Sequence, residues 1–275
     1  MGRLNRVDTE LVRRGLARSR EQARELIADG LVLLDGQQVT KPARQMDPAQ
    51  PLRVVENVRE NYVSRGAYKL LGALEALGED APEIAGKRCL DAGASTGGFT
   101  DVLLRRGADH VVAVDVGYGQ IAWRLREDPR VSVIERTNVR TLDPELVAPA
   151  PQIVVGDLSF ISLTLVIPAL VRAAAPGADF LLMVKPQFEV GRDQLGAGGV
   201  VRDTRLHASA VIAVAESARA CGLGIQAVAA SPLPGPAGNV EYFLHMVAGG
   251  PDLLGESLAD NVARAIDNGP AGQKA

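Results

Sequence analysis

Cysteine is nearly absent from this chain: Cys89 and Cys221 are the only two in 275 residues. Both sit in apolar surroundings, which gives neither a disulfide framework nor a thiolate cluster for a metal. Histidine is as scarce, three residues without paired spacing, so no metal site is expected. Long apolar runs are missing except at residues 153–171, about the length needed to cross a bilayer. Gly156, Asp157, Ser159 and Pro168 interrupt that run, and it reads instead as strand, loop and helix. No continuous apolar core follows Met1, where arginines alternate with apolar residues as far as Arg24. An export signal is therefore not expected, and the reading is a cytoplasmic protein. Nor is there a surplus of positive charge, the formal net charge being −3. The single tryptophan, Trp123, is expected in the core.

What is present is a hydrophobic content of 47% arranged in alternating strand and helix patterns, with length enough for one or two domains. The organising stretch is CLDAGASTGGFTDVLL at 89–104. It reads as a buried strand, a glycine-rich turn and a helix whose apolar residues Phe99, Val102 and Leu103 recur at helical spacing. A helix N-terminus at the carboxyl end of a parallel strand is where doubly wound sheets bind nucleotides. The spacing is D-x-G-x-x-x-G-G-F and not the dinucleotide G-x-G-x-x-G, which disfavours a nicotinamide oxidoreductase. A second acid, Asp115, follows the next apolar strand at 111–114, where it can meet ribose hydroxyls. Acids at both strand ends suit a ligand with a ribose and a cationic amino-acid tail, and S-adenosylmethionine is such a ligand. The residues expected around it are Gly93, Ala94, Ser95, Gly97, Gly98 and Phe99 of the turn, Asp115 and Val116, Asn138 near the adenine, and Asp157.

The charge is unevenly spread. Residues 1–24 hold seven arginines, Arg3, Arg6, Arg13, Arg14, Arg18, Arg20 and Arg24, against Asp8, Glu10 and Glu21, a pattern that fits a phosphate backbone. Asp8 is expected to cap a short helix ending at Gly15. Ser19 and Gln22 form a capping box for a second helix that stops at Gly30. Asp35–Gly36 then signals a tight hairpin. This small unit, residues 1–55, has Leu11, Val12, Leu26 and Ile27 as its core. The string RVDTELVRRGLARSREQARELIADGLVLLDGQQV resembles the RNA-binding domain of the ribosomal-protein S4 family, which has the same helix–helix–hairpin order. The resemblance implies structured RNA as a partner, met by Arg3, Arg6, Arg14, Arg18, Arg20 and, beyond the linker, Arg65.

Residues 56–63 read as that linker. A helix capped by Ser64 runs to Leu77, with Lys69 beside its apolar stripe, where a lysine ordinarily just snorkels. Further strands end at Asp157 and at Lys185, on the same carboxyl edge as the glycine turn. A helix spans about 207–221, two strands lie near 225–229 and 240–246 with Glu241 at the start of the second, and a last helix falls within 252–267. The final antiparallel pair is expected at one edge of the sheet. The glycine-rich loop 188–203 reads as a mobile lid on the substrate side, and residues 269–275 as a disordered tail. The fold expected is α/β, a Rossmann-like methyltransferase sheet over 64–268 with the small α+β unit before it.

The strings SRGAYKL, DAGASTGGFT, VDVGYGQ, DLSFISL, VKPQFEVG and SPLPGPAGNVEYFL, spread over essentially the whole chain, resemble the TlyA-type (hemolysin A-like) ribosomal RNA 2′-O-methyltransferases with an FtsJ-like catalytic domain. The family's Lys–Asp–Lys–Glu set falls here on Lys69, Asp157, Lys185 and Glu241. The resemblance implies that Lys185 activates a ribose hydroxyl while Asp157 and Lys69 set its charge state and Glu241 orients the lysines and the ribose. It further implies cytidine in small- and large-subunit ribosomal RNA as the target, with ribosomal subunits as partners. A lysine near its ordinary pKa of about 10.4 is almost wholly protonated at neutral pH. Burial and a neighbouring cation lower that value, and an adjacent carboxylate opposes them. The rival reading is a non-catalytic RNA-binding or ribosome-assembly factor that keeps the fold. The hemolysin label finds no support in the sequence.

Overall fold

The computed structural model describes residues 4–17, 19–28, 30–55, 62–235 and 237–272, and the chain divides into two compact units, Met1–Asn61 and Tyr62–Ala275. In the first, β1 (Asn5–Arg6), α1 (Val7–Arg13), α2 (Arg20–Ala28), β2 (Val32–Leu34), β3 (Gln37–Gln38), β4 (Gln45–Met46) and β5 (Leu52–Val54) follow in order. Asp35 and Gly36 both have positive φ, as a two-residue hairpin turn between β2 and β3 demands. β5 adds a third strand on the other side of β2, and β1 pairs with β4. Val7, Leu11, Ile27, Val32, Leu34 and Met46 are buried together, with Val12 and Leu26 packed against them. Asp8 does not cap α1: Arg6 stands at the N-cap, and Asp8 is a buried residue of the first turn.

The second unit opens with Tyr62 and Val63, which belong to it and not to a linker. The Val63 N–H donates to Asp101 Oδ2 at 2.9 Å, and the Tyr62 ring meets Tyr68 edge-on under the Arg105 guanidinium. The linker residues 56–61 lie outside the described residues. The elements are then α3 (Gly66–Leu77), β6 (Arg88–Ala92), α4 (Gly98–Arg105), β7 (His110–Val114), α5 (Trp123–Arg126), β8 (Val131–Ile134), β9 (Ile153–Gly156), α6 (Ile167–Ala173), β10 (Asp179–Val184), α7 (Pro186–Glu189), α8 (Thr204–Ala220), β11 (Leu223–Ala230), β12 (Tyr242–Ala248) and α9 (Leu258–Asn268). Ser64 is not the cap of α3; Arg65 occupies the N-cap and no side chain bonds the first turn.

A seven-stranded sheet has the order β11-β12-β10-β9-β6-β7-β8. Strands β10, β9, β6, β7 and β8 are parallel, and β12 runs antiparallel between β10 and β11. The antiparallel pair thus lies at one edge, as the sequence implies. The central strands read RCLDA, HVVAV, IVVG and DFLLMV because both faces are covered. Leu90, Val112, Val154 and Leu182 point into one core with α6, α8 and α9. Cys89, Val111, Ile153 and Leu181 point into the other, with α3, α4 and Leu125 of α5. Burying each such Leu or Ile side chain stabilises the fold by roughly 1.5–3 kcal/mol.

From β6 the chain proceeds outward to β7 and β8, then returns to place β9 on the other flank of β6. The direction of strand addition therefore reverses between β6 and β9, and the crevice outside their carboxyl ends is where such sheets hold ligands. Asp203 caps α8 by accepting the Arg205 N–H. The loop before it is not free at its far end. The Asn239 carboxamide accepts from Val201 N–H at 2.9 Å and donates to Gly199 O, and His207 bonds Val201 O at 2.9 Å. Residues 269 to 272 continue in turns after α9, with Ala271 against the core, so the tail expected to be disordered is packed this far; 273–275 lie outside the described residues. Trp123 is 67% exposed, the reverse of the core position expected, because α5 buries only Leu125.

Candidate active site

β6 ends at Ala92, and Gly93 turns the chain with φ +85°, a region costly for any residue with a Cβ. A Cβ there would stand 3.2 Å from the Asp157 carbonyl oxygen and 3.0 Å from Leu158 Cδ2, so the turn lies against the loop leaving β9. The N–H groups of Gly93 and Ala94 both reach Val114 O. Ser95 donates its N–H to Asp115 Oδ2 at 2.8 Å, and Gly117 donates to Oδ1 at 2.6 Å. Asp115 thereby couples the turns after β6 and β7, and each of its oxygens keeps acceptor capacity for a ligand. Val116 beside it is 72% exposed. Asn138 is exposed and caps a 3-10 turn through Oδ1, which accepts the Arg140 N–H, so its NH2 edge remains available as a donor.

Three of the expected ligand residues also pack within the fold. Phe99 is buried, its ring 6.0 Å from that of Phe243 in the core. Gly98 is a packing glycine: a Cβ would meet Ser64 Oγ at 2.4 Å and the Ala67 backbone nitrogen at 2.9 Å, so its smallness brings α4 onto the start of α3. Gly97, at the N-cap of α4 with φ +95°, faces Ile121 and Leu125 in the same way. The sequence signal is the same for packing and for ligand glycines, which is why the two are not separable by spacing.

Asp91 is fully buried in β6. Its Oδ2 accepts from the Thr100 N–H and hydroxyl at 2.9 and 2.7 Å, while Oδ1 has no partner. Burial pushes its carboxyl up to about 7; the Thr100 bonds oppose this, and the nearby charges of Asp157 and Asp115 add to it. Three carboxyl groups therefore crowd the carboxyl ends of β6, β7 and β9.

The four ionisable residues singled out in the sequence converge. Glu241 Oε2 lies 2.6 Å from Lys69 Nζ, which lies 3.6 Å from Asp157 Oδ2, whose Oδ1 is 2.5 Å from Lys185 Nζ. The result is an alternating ladder, Glu241–Lys69–Asp157–Lys185, drawn from the residue just before β12, α3, and the residues that follow β9 and β10. Glu241, Lys69 and Lys185 are all buried. Burial alone would raise the Asp157 carboxyl, but Lys185 and then Lys69 outweigh it, and it titrates below the usual carboxylate range. Sequence reasoning passed over two neighbours: Ser159 Oγ accepts from Lys185 Nζ at 2.9 Å, and Gln187 Nε2 lies 3.4 Å from Glu241 Oε1. Both sit in motifs already marked, DLSF and VKPQ, but nothing in their spacing separated them from ordinary loop residues.

The arginines of the first unit wrap two buried carboxylates. Arg6 and Arg20 bond Asp8 Oδ2 at 2.8 and 3.1 Å, with Arg24 at 3.9 Å. These bonds, Arg6 first, hold the Asp8 carboxyl far below its ordinary value despite burial. Arg13 and Arg14 bind Glu10. Arg14 also donates to the Gln50 and Pro48 carbonyls, so its guanidinium ties a turn. Arg65 donates to Pro234 O at 3.0 Å in the second unit. Arg3 and Arg18 lie outside the described residues.

A family model described as FtsJ-like methyltransferase matches residues 62–247, well over half of the chain. The chain belongs to the FtsJ-like methyltransferase family. An S4 domain model matches residues 5–50 ahead of the FtsJ-like part. The 16S/23S rRNA (cytidine-2′-O)-methyltransferase TlyA of Mycobacterium tuberculosis is 58% identical over 271 residues, 98% of this chain and 100% of that relative. A Streptococcus thermophilus protein described as a hemolysin has a solved structure with a TM-score of 0.77 and 35% identity, covering 99% of both chains. An S-adenosylmethionine-dependent methyltransferase structure from Listeria monocytogenes, 15% identical with a TM-score of 0.50 over 66% of this chain and 99% of its own, is similar in fold. Among the described residues no helix is long and apolar enough to cross a membrane.

Proposed function

We propose that this protein transfers a methyl group from S-adenosylmethionine to the ribose 2′-hydroxyl of cytidine in ribosomal RNA of both subunits, acting in the cytoplasm. The observation that carries the reading is the Glu241–Lys69–Asp157–Lys185 ladder beside the Gly93 turn at the topological switch of the sheet. The substrate class comes from the TlyA relative's rRNA specificity and from the S4 match.

The residues present fit the cofactor. Asp91, Asp115 and Asp157 put three carboxyl groups at one sheet edge, and Asp91 Oδ1 is a buried acceptor without a donor, an arrangement suited to a cationic ligand. Ser95 and Asp115 would hold its ribose side, Asn138 its base, and Gly93 the close backbone approach. When bound, S-adenosylmethionine supplies an electrophilic methyl group on a positively charged sulfur.

Lys185 Nζ donates to Ser159 Oγ at 2.9 Å and is ion-paired at 2.5 Å with Asp157 Oδ1, an oxygen that accepts no hydrogen bond. A remaining N–H direction would face the ribose hydroxyl. As an ammonium it donates along that direction; once deprotonated, the same direction carries the lone pair that accepts the hydroxyl proton. Asp157 and Ser159 thus determine where that lone pair points, and orientation of this kind is a large part of any transfer between bound groups. Lys69, held between Glu241 and Asp157, shares the Asp157 carboxylate with Lys185. Arg6 and Arg20, pre-aligned by Asp8, would meet RNA phosphates without losing side-chain freedom on binding.

Lys185→Ala tests the reading: methyl incorporation into ribosomal RNA should vanish while RNA affinity stays within about threefold. If methyl transfer persists in the variant, the assignment of Lys185 is wrong.

A further inference from the structure

Glu189 closes α7 four residues after Lys185, and its carboxylate reaches back across to the loop that leaves β9. Oε2 accepts from Ser162 Oγ at 2.5 Å, and Oε1 accepts from the Leu163 backbone N–H at 2.8 Å. Among the described residues Glu189 forms no ion pair. Ser162 is itself the N-cap of the 3-10 turn Leu163–Leu165, bonding Thr164. The stretch from Asp157 to Leu163 is therefore an arch with both feet tied to the stretch from Lys185 to Glu189. One foot is the Lys185 ammonium on Asp157 and Ser159; the other is the Glu189 carboxylate on Ser162 and Leu163. Between them Phe160 is held at φ +63° and 92% exposed, its ring 5.2 Å from that of Phe188. A bulky residue in the left-handed region persists only where its surroundings over-determine it.

We infer that Glu189 is a positioning residue for methyl transfer: by clamping the far foot of the 157–163 arch, it keeps Ser159 on Lys185 and so aims the Lys185 lone pair. This rests on the methyltransferase reading above. Both feet lie on one short segment, so the arch cannot drift relative to Lys185 while both are tied. Cutting the Glu189 foot leaves Ser159 held from one side only. The Ser95 and Gly117 bonds to Asp115 do not involve the arch, and Asp157 stays paired with Lys185, so the loss falls on turnover more than on affinity.

The test compares Glu189→Ala, Glu189→Gln and Ser162→Ala with wild type, using ribosomal subunits and S-adenosylmethionine. A misplacement of about 1 Å can cost about a hundredfold in rate, so Glu189→Ala should lose about a hundredfold in kcat, with KM for both substrates within about threefold. Glu189→Gln should recover most of the loss. Its Oε1 still accepts from Leu163, and the Ser162 hydroxyl can turn to accept from the new NH2 group. Ser162→Ala should fall between wild type and Glu189→Ala. A kcat for Glu189→Ala within threefold of wild type overturns the inference, as does a glutamine variant no better than alanine, or S-adenosylmethionine affinity that falls in step with kcat. A separate arm does not depend on turnover: amide hydrogen exchange in the peptide spanning 157–165 should quicken in Glu189→Ala while the 93–104 region stays as in wild type. Unchanged exchange there also overturns the clamp, whereas an inactive wild type with the expected exchange pattern would instead refute the methyltransferase reading.

Discussion

Removing the Lys69–Glu241 pair one partner at a time, and then together, probes the ladder where it is driest. The two side chains are 7% and 2% exposed and 2.6 Å apart. Stripping one partner from a buried ion pair costs about 3–5 kcal/mol, whereas replacing both by uncharged groups is often neutral. Lys69 has a second carboxylate, Asp157 at 3.6 Å, so Glu241→Gln leaves the ammonium partly compensated and should lie at the low end, about 3 kcal/mol. Among the described residues Glu241 has the Gln187 amide at 3.4 Å to fall back on. Lys69→Met should therefore lie near the top, about 5 kcal/mol. In the double variant no charge is stranded: Asp157 keeps Lys185, and the new methionine meets Met183, whose Sδ already lies 3.8 Å from Lys69 Nζ. The double variant should cost no more than about 3 kcal/mol, far below the sum of about 8, a coupling larger than most contacting pairs show. Equilibrium urea denaturation at pH 7, followed by circular dichroism with the m-value checked for constancy, reads all three. Additivity within about 0.5 kcal/mol would refute the buried-ladder reasoning.

Three further outcomes follow from the same geometry. Asp91 has a folded-state pKa of about 7, above its unfolded value of about 3.9; the folded form binds the extra proton between those values, so stability falls as pH rises through that window. Asp91→Asn should remove that slope, raising Tm relative to wild type at pH 8 more than at pH 5, and equal shifts at both would contradict it. Asp115→Ala takes away the acceptor shared by the Ser95 and Gly117 N–H groups; S-adenosylmethionine affinity by calorimetry should fall at least about tenfold, the size of one or two hydrogen bonds to a charged group. Arg20→Glu should weaken RNA binding and lower the salt dependence of log K by about one phosphate contact or more; an unchanged salt slope would remove Arg20 from the interface.

The sheet was legible because its central strands are covered on both faces and must be continuous apolar runs, and because Gly93, Asp115, Asp157 and Lys185 each punctuate a strand end. Asp157 and Lys185 were legible as charged strand ends, but their grouping with Lys69 and Glu241 came only through resemblance: residues 69 and 241 are 172 positions apart, and no local pattern pairs them. What the sequence hid was the double use of one residue type. Gly98 looks like a ligand glycine and also packs two helices together; Arg14 looks like an RNA-binding arginine and also ties its own turn; Trp123 looks like core and is on the surface. For the first two the added contact, Ser64 on Gly98 or the Pro48 and Gln50 carbonyls on Arg14, comes from a segment that no periodicity links to it. The arch held by Glu189 was missed for the same reason, since Ser162 and Glu189 belong to two different strand-end loops.

The most direct measurement of the central claim is nucleoside mass spectrometry of ribosomal RNA from each isolated subunit after incubation with wild-type protein and S-adenosylmethionine, beside Lys185→Ala. The proposed function predicts 2′-O-methylcytidine with wild type and none with the variant; no methylated ribose with wild type, or methylation confined to a base, would contradict it.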